Sequence, residues 1–377
     1  MRIGLNLLFM IPGVVGGTET YARGLLDGFR RLRPNHEFVV FLNRESSEWI
    51  SDDGAGFRAV VCPVNAVSRS RRFAYEHVLL RREVRKHGID LLHSLGYTSP
   101  VFLACPSVVT VPDLNFRAFG NLMPLPRRLM LSLAVKQAVV HSDKVITISE
   151  YSRQEILRAY KVAAEKVVVT HLAVDFQALE PESNPAPGML SGLEWMREPY
   201  VVAFSSTYPN KNMPRLLEAF SEAKRLRKIA QRLVLIGHPY SSEDWSPLAR
   251  DLVERRDVIW AGYLERRQVF SVLKRADFLM FPSFYEGFGL PVLEAMAVGL
   301  PVVCSKAASL PEVAGNAAVF FDPFSVADIA EKIVTVANDA SLRNELRARG
   351  VENLKRFSWE KTAAETVAVY DKLLRRS

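Results

Sequence analysis

The stretch Phe281-Pro-Ser-Phe-Tyr-Glu-Gly-Phe-Gly-Leu-Pro-Val-Leu-Glu294 holds the end of an apolar strand, a double-glycine loop and the start of a helix. Gly287 and Gly289 allow backbone amides to approach a ligand closely. Pro291 suits the first turn of a helix, where a missing N–H costs nothing. The unpaired N–H groups and positive dipole end of such a helix favour an anion, of which a diphosphate is one. Glu286 stands in the loop and Glu294 in the first helical turns, so the two carboxylates can contact different parts of one extended ligand. As pure acceptors they suit sugar or ribose hydroxyls. The plainer alternative makes both glutamates partners of the helix dipole.

Strand–loop–helix units of this kind recur along the chain. Apolar runs at Ile3–Phe9, Phe38–Leu42, Ile89–His93, Val108–Val111, Val145–Ile148 and Val167–Val169 form one series. A second comprises Tyr200–Phe204, Leu233–Ile236, Val258–Ala261, Phe278–Phe281, Pro301–Cys304 and Ala318–Phe321. Continuous runs separated by amphipathic segments predict parallel sheets covered on both faces. The expected fold is therefore α/β, with two doubly wound Rossmann-like domains facing a cleft in which ligands bind. The first spans 1–180 and the second 199–358. The acidic, proline-bearing stretch 181–198 reads as a linker, and 359–377 is a helix that can cross back to the first domain.

A length of 377 residues agrees with two domains. Hydrophobic residues at 49% and charged residues at 24% describe a globular chain, and no apolar run is long enough for a membrane span. The apolar start, Met1–Val15, has the look of a signal peptide but lacks a small-residue cleavage site, and reads better as strand, loop and helix. Cys62, Cys105 and Cys304 are widely spaced and predict neither disulfide framework nor zinc site. No metal and no cofactor are expected, and a reducing cytoplasm is the simplest location.

The net charge of +8 is uneven: residues 1–180 hold 23 Lys and Arg against 17 Asp and Glu, whereas 181–377 hold 26 against 24. The excess is densest from Arg69 to Lys86, where Phe73, Tyr75, Val78, Leu79 and Leu80 suggest the packed side of a helix. Its basic side is either a solvated face or a contact for an anionic partner such as a phospholipid surface or a lipid diphosphate acceptor. No nucleic-acid-binding motif accompanies the charge, so nucleic acid is not expected as a partner.

Three further segments carry candidate chemistry. Ser205-Ser-Thr-Tyr-Pro-Asn-Lys-Asn212 follows a strand, which places Lys211 as a point charge for a phosphate beside Asn212. Gly16-Gly17-Thr18-Glu19 lies between the first strand and a helix; it reads as a tight turn or a ligand loop, and it lacks the glycine pattern of dinucleotide binders. Thr110-Val-Pro-Asp-Leu114 supplies Asp113. Ser152 and Glu155, in Ile148-Ser-Glu-Tyr-Ser-Arg-Gln-Glu155, fit a helix-capping box.

Taken together, Glu286–Glu294, the continuation Ala295-Met-Ala-Val-Gly-Leu-Pro301 and Ser309-Leu-Pro-Glu-Val313 resemble the Glu-x7-Glu signature of glycosyltransferase family 4, retaining enzymes with the GT-B fold. The resemblance spans nearly the whole chain. It implies transfer of a hexose from a nucleotide-diphosphate sugar to a saccharide or lipid-linked acceptor, without a metal. It implies that Glu286 contacts the donor sugar, that Gly287, Phe288, Gly289 and Leu290 lie near sugar and phosphate, and that Glu294 holds the ribose. Lys211 and Asn212 would serve the diphosphate, and Gly16, Gly17 and Glu312 would line the site. Asp113 would be the remaining catalytic group of the first domain. The chain departs from the family at Ser205 and Asn210, where members carry arginines, and at Pro112, where a histidine is usual. Arg23 and His93 are the candidates to compensate. A non-catalytic nucleotide-sugar-binding module is the alternative, and a nicotinamide-dependent oxidoreductase is disfavoured by the missing glycine fingerprint.

Overall fold

The computed structural model describes residues 1–50, 56–119, 123–174, 194–206, 208–225, 228–237 and 246–375. The chain divides into two compact units, Met1–Ala173 with Ser358–Ser377, and Val174–Phe357. Of the expected linker 181–198, residues 181–193 lie outside the described residues, while Glu194–Arg197 form one 3-10 turn.

The first unit runs β1 (Arg2–Asn6), α1 (Gly17–Leu32), β2 (Glu37–Leu42), β3 (Phe57–Val61), α2 (Arg69–Ala74), a π-helical turn (Tyr75–Leu79), α3 (Leu80–Lys86), β4 (Leu91–Ser94) and β5 (Ser107–Thr110). It continues with α4 (Asn115–Ala118), α5 (Leu125–His141), β6 (Lys144–Thr147), α6 (Glu150–Tyr160) and β7 (Val167–Val169). The second runs β8 (Tyr200–Ser205), α7 (Met213–Arg225), β9 (Arg232–Gly237), α8 (Pro247–Glu254), β10 (Val258–Gly262), α9 (Arg266–Arg275) and β11 (Leu279–Phe281). After it come α10 (Leu290–Ala297), β12 (Val302–Ser305), α11 (Leu310–Ala314), β13 (Ala318–Phe321), α12 (Val326–Asn338) and α13 (Ala340–Leu354). The last helix, α14 (Trp359–Leu374), belongs to the first unit.

Both sheets are parallel, in the orders β3-β2-β1-β4-β5-β6-β7 and β10-β9-β8-β11-β12-β13. Each reverses direction once, between β1 and β4 and between β8 and β11, which is where doubly wound sheets open a crevice at their carboxyl edge. Right-handed crossovers put α1 on one face of the first sheet and α2, α3, α5 and α6 on the other. The two clusters on that second face are built on Val84 and Leu92, and on Val135 and Val145. The core of the second unit gathers Val201, Leu216, Phe220, Phe278 and Ile333.

Three local expectations change. Strand β3 lies within a stretch that the apolar pattern passes over, because an edge strand with half-exposed positions has no continuous buried run. In the basic segment, the π turn inserts an extra residue and shifts the helical phase. As a result Val78 and Leu79, expected on the packed side, are exposed, and Glu76 is buried. The cap of α6 is Ser149, whose hydroxyl accepts from the Ser152 amide, rather than a box begun by Ser152.

Helix α14 lies on α1 at a close approach that only glycine permits. A Cβ at Gly24 would strike the Trp359 indole, and one at Gly28 would strike the Trp359 carbonyl. A buried polar chain fixes its far end. The His93 ring joins the Tyr370 hydroxyl at 2.6 Å to the Thr110 hydroxyl at 2.8 Å, and Tyr21 reaches Thr110 at 3.1 Å. Burial lowers the His93 pKa to about 3, so the ring is neutral at pH 7.

Candidate active site

Lys211 and Glu286 lie 75 residues apart in sequence, yet both follow strands that flank the switch point of the second sheet, Lys211 after β8 and Glu286 after β11. Lys211 Nζ donates to Glu286 Oε1 at 2.7 Å, with both side chains partly accessible. The ammonium also sits 5.3 Å from the centre of the Phe281 ring, a cation–π contact that adds to its hold on the cation. The backbone turns of this loop are set by residues whose roles depend on the fold. Asn210, buried, donates to the Tyr285 carbonyl at 3.2 Å and accepts the Phe284 amide at its own carbonyl at 2.7 Å. The position that lacks an arginine thus stitches the two loops together.

Ser309, a residue that sequence reasoning read only as part of a motif, is buried 2.9 Å and 2.8 Å from the carbonyls of Glu286 and Phe288. Its hydroxyl donates between them. Because a trans peptide opposes its C=O and N–H, this contact directs the Gly287 and Gly289 amides away from Ser309. Gly289 then caps α10 at φ 105°, and a Cβ there would lie 2.6 Å from Leu310 Cδ2. Leu290 opens the helix; Pro291 has no N–H and the Val292 amide bonds the Gly289 carbonyl at 2.9 Å, which leaves the Leu290 amide at the head of the helix for an anion. Phe288 contributes backbone alone, since its side chain is buried edge-on against Phe357 at 5.8 Å.

Glu294 is half-buried on α10. Burial pushes its carboxyl above the usual range, and Arg266 pulls it part of the way back. Glu312 is half-buried in α11, its carbonyl accepting from Arg356 at 3.0 Å. Asn212 is almost fully buried in a left-handed conformation, and its amide donates to the carbonyls of Pro282 at 3.2 Å and Pro323 at 2.8 Å. In this arrangement it clamps the loop, and only its Oδ1 lacks a protein partner.

The first-unit candidates are placed differently. Gly16 caps α1 and Gly17 begins it, and a side chain on either would meet open space. Asp113 Oδ1 accepts from the Tyr97 hydroxyl at 2.9 Å and from the Asn115 amide at 3.0 Å, a turn-capping arrangement. Of the two compensating candidates, His93 is enclosed in the chain that holds α14, whereas Arg23 is half-exposed, pairs with Glu19 at 2.8 Å and lies over the Trp49 ring. At the first switch point, sequence reasoning missed a buried cluster in which Glu76 accepts from Asn6 at 2.8 Å and from Thr98 at 3.0 Å.

Residues 193–353 match the family model described as glycosyl transferases group 1, and 15–178 match the model of glycosyltransferase family 4. The O-antigen chain mannosyltransferase B of Escherichia coli is 31% identical over 266 residues, covering 70% of each chain. The chain belongs to this family. The glycosyltransferase is also 30% identical over 258 residues to the MMP α-(1→4)-mannosyltransferase of Mycolicibacterium hassiacum, covering 67% of this chain and 60% of that one. Among solved structures, Anabaena HepE in complex with UDP superposes with a TM-score of 0.72 at 18% identity, covering 99% of this chain and 100% of that one. The fold of the glycosyltransferase is accordingly GT-B, and the protein is a transferase.

Proposed function

We propose that this glycosyltransferase moves a hexose from a nucleotide-diphosphate sugar to a saccharide or lipid-linked acceptor during polysaccharide or glycan assembly, with retention at the anomeric carbon. GDP-mannose is the first donor to test, because two relatives are named as mannosyltransferases; UDP-hexoses come next, since HepE was solved with UDP. The observation that carries this reading is the Lys211–Glu286 pair beside the head of α10. Departure of a nucleoside diphosphate leaves negative charge on a phosphate oxygen. Lys211 and the Leu290 amide at the head of α10 are the groups suited to stabilise it. Glu286, released from Lys211 as the phosphate takes over the ammonium, is then free to accept from sugar hydroxyls. Glu294 is suited to the ribose, and Gly16, Gly17, Gly287 and Glu312 to the remaining donor contacts. The first unit is assigned the acceptor. The reaction is assigned no metal, the protein a cytoplasmic location, and the basic residues Arg69–Lys86 a contact with an anionic membrane face.

The test is transfer from labelled GDP-mannose, UDP-glucose and UDP-N-acetylglucosamine to lipid-linked and free saccharide acceptors, with the product anomer read by NMR. An inverted product would refute retention. A second reading, a nucleotide-sugar-binding module, is favoured by one observation: Pro112 just after β5 and the enclosed His93 of β4 leave no accessible histidine on these two strands or at their carboxyl ends among the described residues. Tight donor binding with neither transfer nor donor hydrolysis across those acceptors would establish it.

A further inference from the structure

Helix α5 presents the wrong chemistry to water. Leu125, Leu129 and Leu133, at spacing i, i+4, i+8, are 58%, 53% and 61% exposed, and Met130 beside them is 45% exposed. The outer stripe of a surface helix ordinarily carries charged residues. From Leu125 to His141 there is no Asp or Glu at all, while Arg127, Arg128 and Lys136 are present. At the other end of the helix Phe102, 77% exposed, reaches out from the β4–β5 connection and lies 6.0 Å from the His141 ring. The right-handed crossovers put α5 on the same face of the sheet as α2 and α3. There the π turn has rotated Val78 and Leu79 outward next to exposed Arg82 and Arg85. One face of the first unit therefore combines outward aliphatic side chains with an excess of cations.

We infer that this face is an interfacial membrane-docking surface, in which the Leu125–Leu129–Leu133 stripe of α5 enters the headgroup boundary of an anionic bilayer. A helix lying in that boundary needs apolar side chains on the side facing the acyl chains and cations at headgroup level, and α5 offers both. A second copy of the chain is a poorer occupant. A two-fold contact through this stripe would set Arg127, Arg128 and Lys136 against their own copies with no carboxylate on the helix to meet them. The inference deepens the membrane contact proposed above for Arg69–Lys86 and rests on it, but it moves the apolar anchor to α5 and leaves α2 and α3 an electrostatic part.

Flotation of the purified full chain with vesicles of phosphatidylglycerol mixed with phosphatidylcholine, against phosphatidylcholine alone, separates the two claims. The wild type is expected to float with the anionic vesicles. L129S/L133S is expected to lose at least about tenfold in partitioning at every salt concentration, since two leucines no longer leave water. R82Q/R85Q is expected to lose binding at low salt and to resemble the wild type at high salt, where surface charges are screened. Because both leucines are exposed, the variant should melt as the wild type does and bind nucleotide equally well. Wild-type flotation of L129S/L133S would overturn the α5 anchor while leaving the basic contact standing. No flotation of the wild type would remove both. A wild-type dimer in light scattering that L129S/L133S converts to monomer would instead assign the stripe to a second copy.

Discussion

At the switch point of the second sheet, Lys211 and Glu286 meet at 2.7 Å with both side chains partly open to solvent. At that of the first, Glu76, Asn6 and Thr98 bond to one another out of its reach. The same architecture thus serves two ends. In the second unit, buried Asn210, Asn212 and Ser309 hold backbone carbonyls so that a charged pair and a helix start face outward. In the first, the polar side chains next to the carboxyl edge hold the unit's own elements, as Asp113 caps a turn and His93 ties α14 to the sheet. An open ion pair can be exchanged for a ligand's charges at low cost. A buried, satisfied cluster cannot, because breaking it strands polar groups without partners.

The comparison is most directly broken at Lys211. Lys211→Ala should lower the transfer rate by roughly 10²–10³-fold, the scale of removing one donor to developing charge, with little change in melting temperature; an unaltered rate would move the phosphate site elsewhere. Next in size is Gly289→Val, which combines a left-handed backbone with a Cβ in contact with Leu310. It is expected to destabilise by about 2–3 kcal/mol in denaturant melts and to weaken donor binding in titrations, because α10 can no longer start where it does.

Glu294 sharpens the comparison through pH. Its carboxyl is raised above the ordinary range by burial. If the carboxylate holds ribose hydroxyls, donor affinity is full above the raised value and falls as pH drops through it, at higher pH than for an exposed glutamate. The same shift has the opposite sign for folding: the folded state holds its proton more tightly, so Glu294 lowers stability as pH rises from the unfolded value through the folded one. In Glu294→Gln the affinity step should vanish, and an identical pH profile in both proteins would assign the step to another group. Smallest of all is Asp113→Asn, whose oxygen can still accept from Tyr97 and the Asn115 amide. Stability should stay within roughly 0.5 kcal/mol and transfer near the wild-type rate; a loss of about a hundredfold or more would put Asp113 in the chemistry and erase the contrast between the two units.

How far the sequence anticipates the molecule follows the same division. Central parallel strands are buried on both faces, so their apolar runs are unbroken, and the run Tyr200–Phe204 falls within one residue of β8. The edge strand Phe57–Val61 has no such run, and Ile3–Phe9 is read too long because Leu7 and Leu8 are buried in the turn that follows β1. Glu286 and Lys211 are visible singly, since each follows a strand within a motif. Their pairing is not, as it requires β8 and β11 to be neighbours. Ser309 and Asn210 act on backbone carbonyls, and no side-chain pattern reports where a carbonyl points. The outward turn of Val78 and Leu79 depends on one extra residue in a helical turn, a shift of about 100° in phase that composition cannot register.

The seat of α14 against Gly24 and Gly28 has a consequence for synthesis. A chain emerging from the ribosome in sequence order exposes α1, and the groove its glycines form, long before Trp359 exists to fill it. The segment Val174–Phe357, interposed between the two parts of the first unit, has all its strands out first and can close its sheet while the first unit still lacks its final helix. The nascent first unit therefore stays a partial structure, with Thr110 and His93 awaiting Tyr370. Its last step of maturation is the docking of a helix made after the other half of the protein.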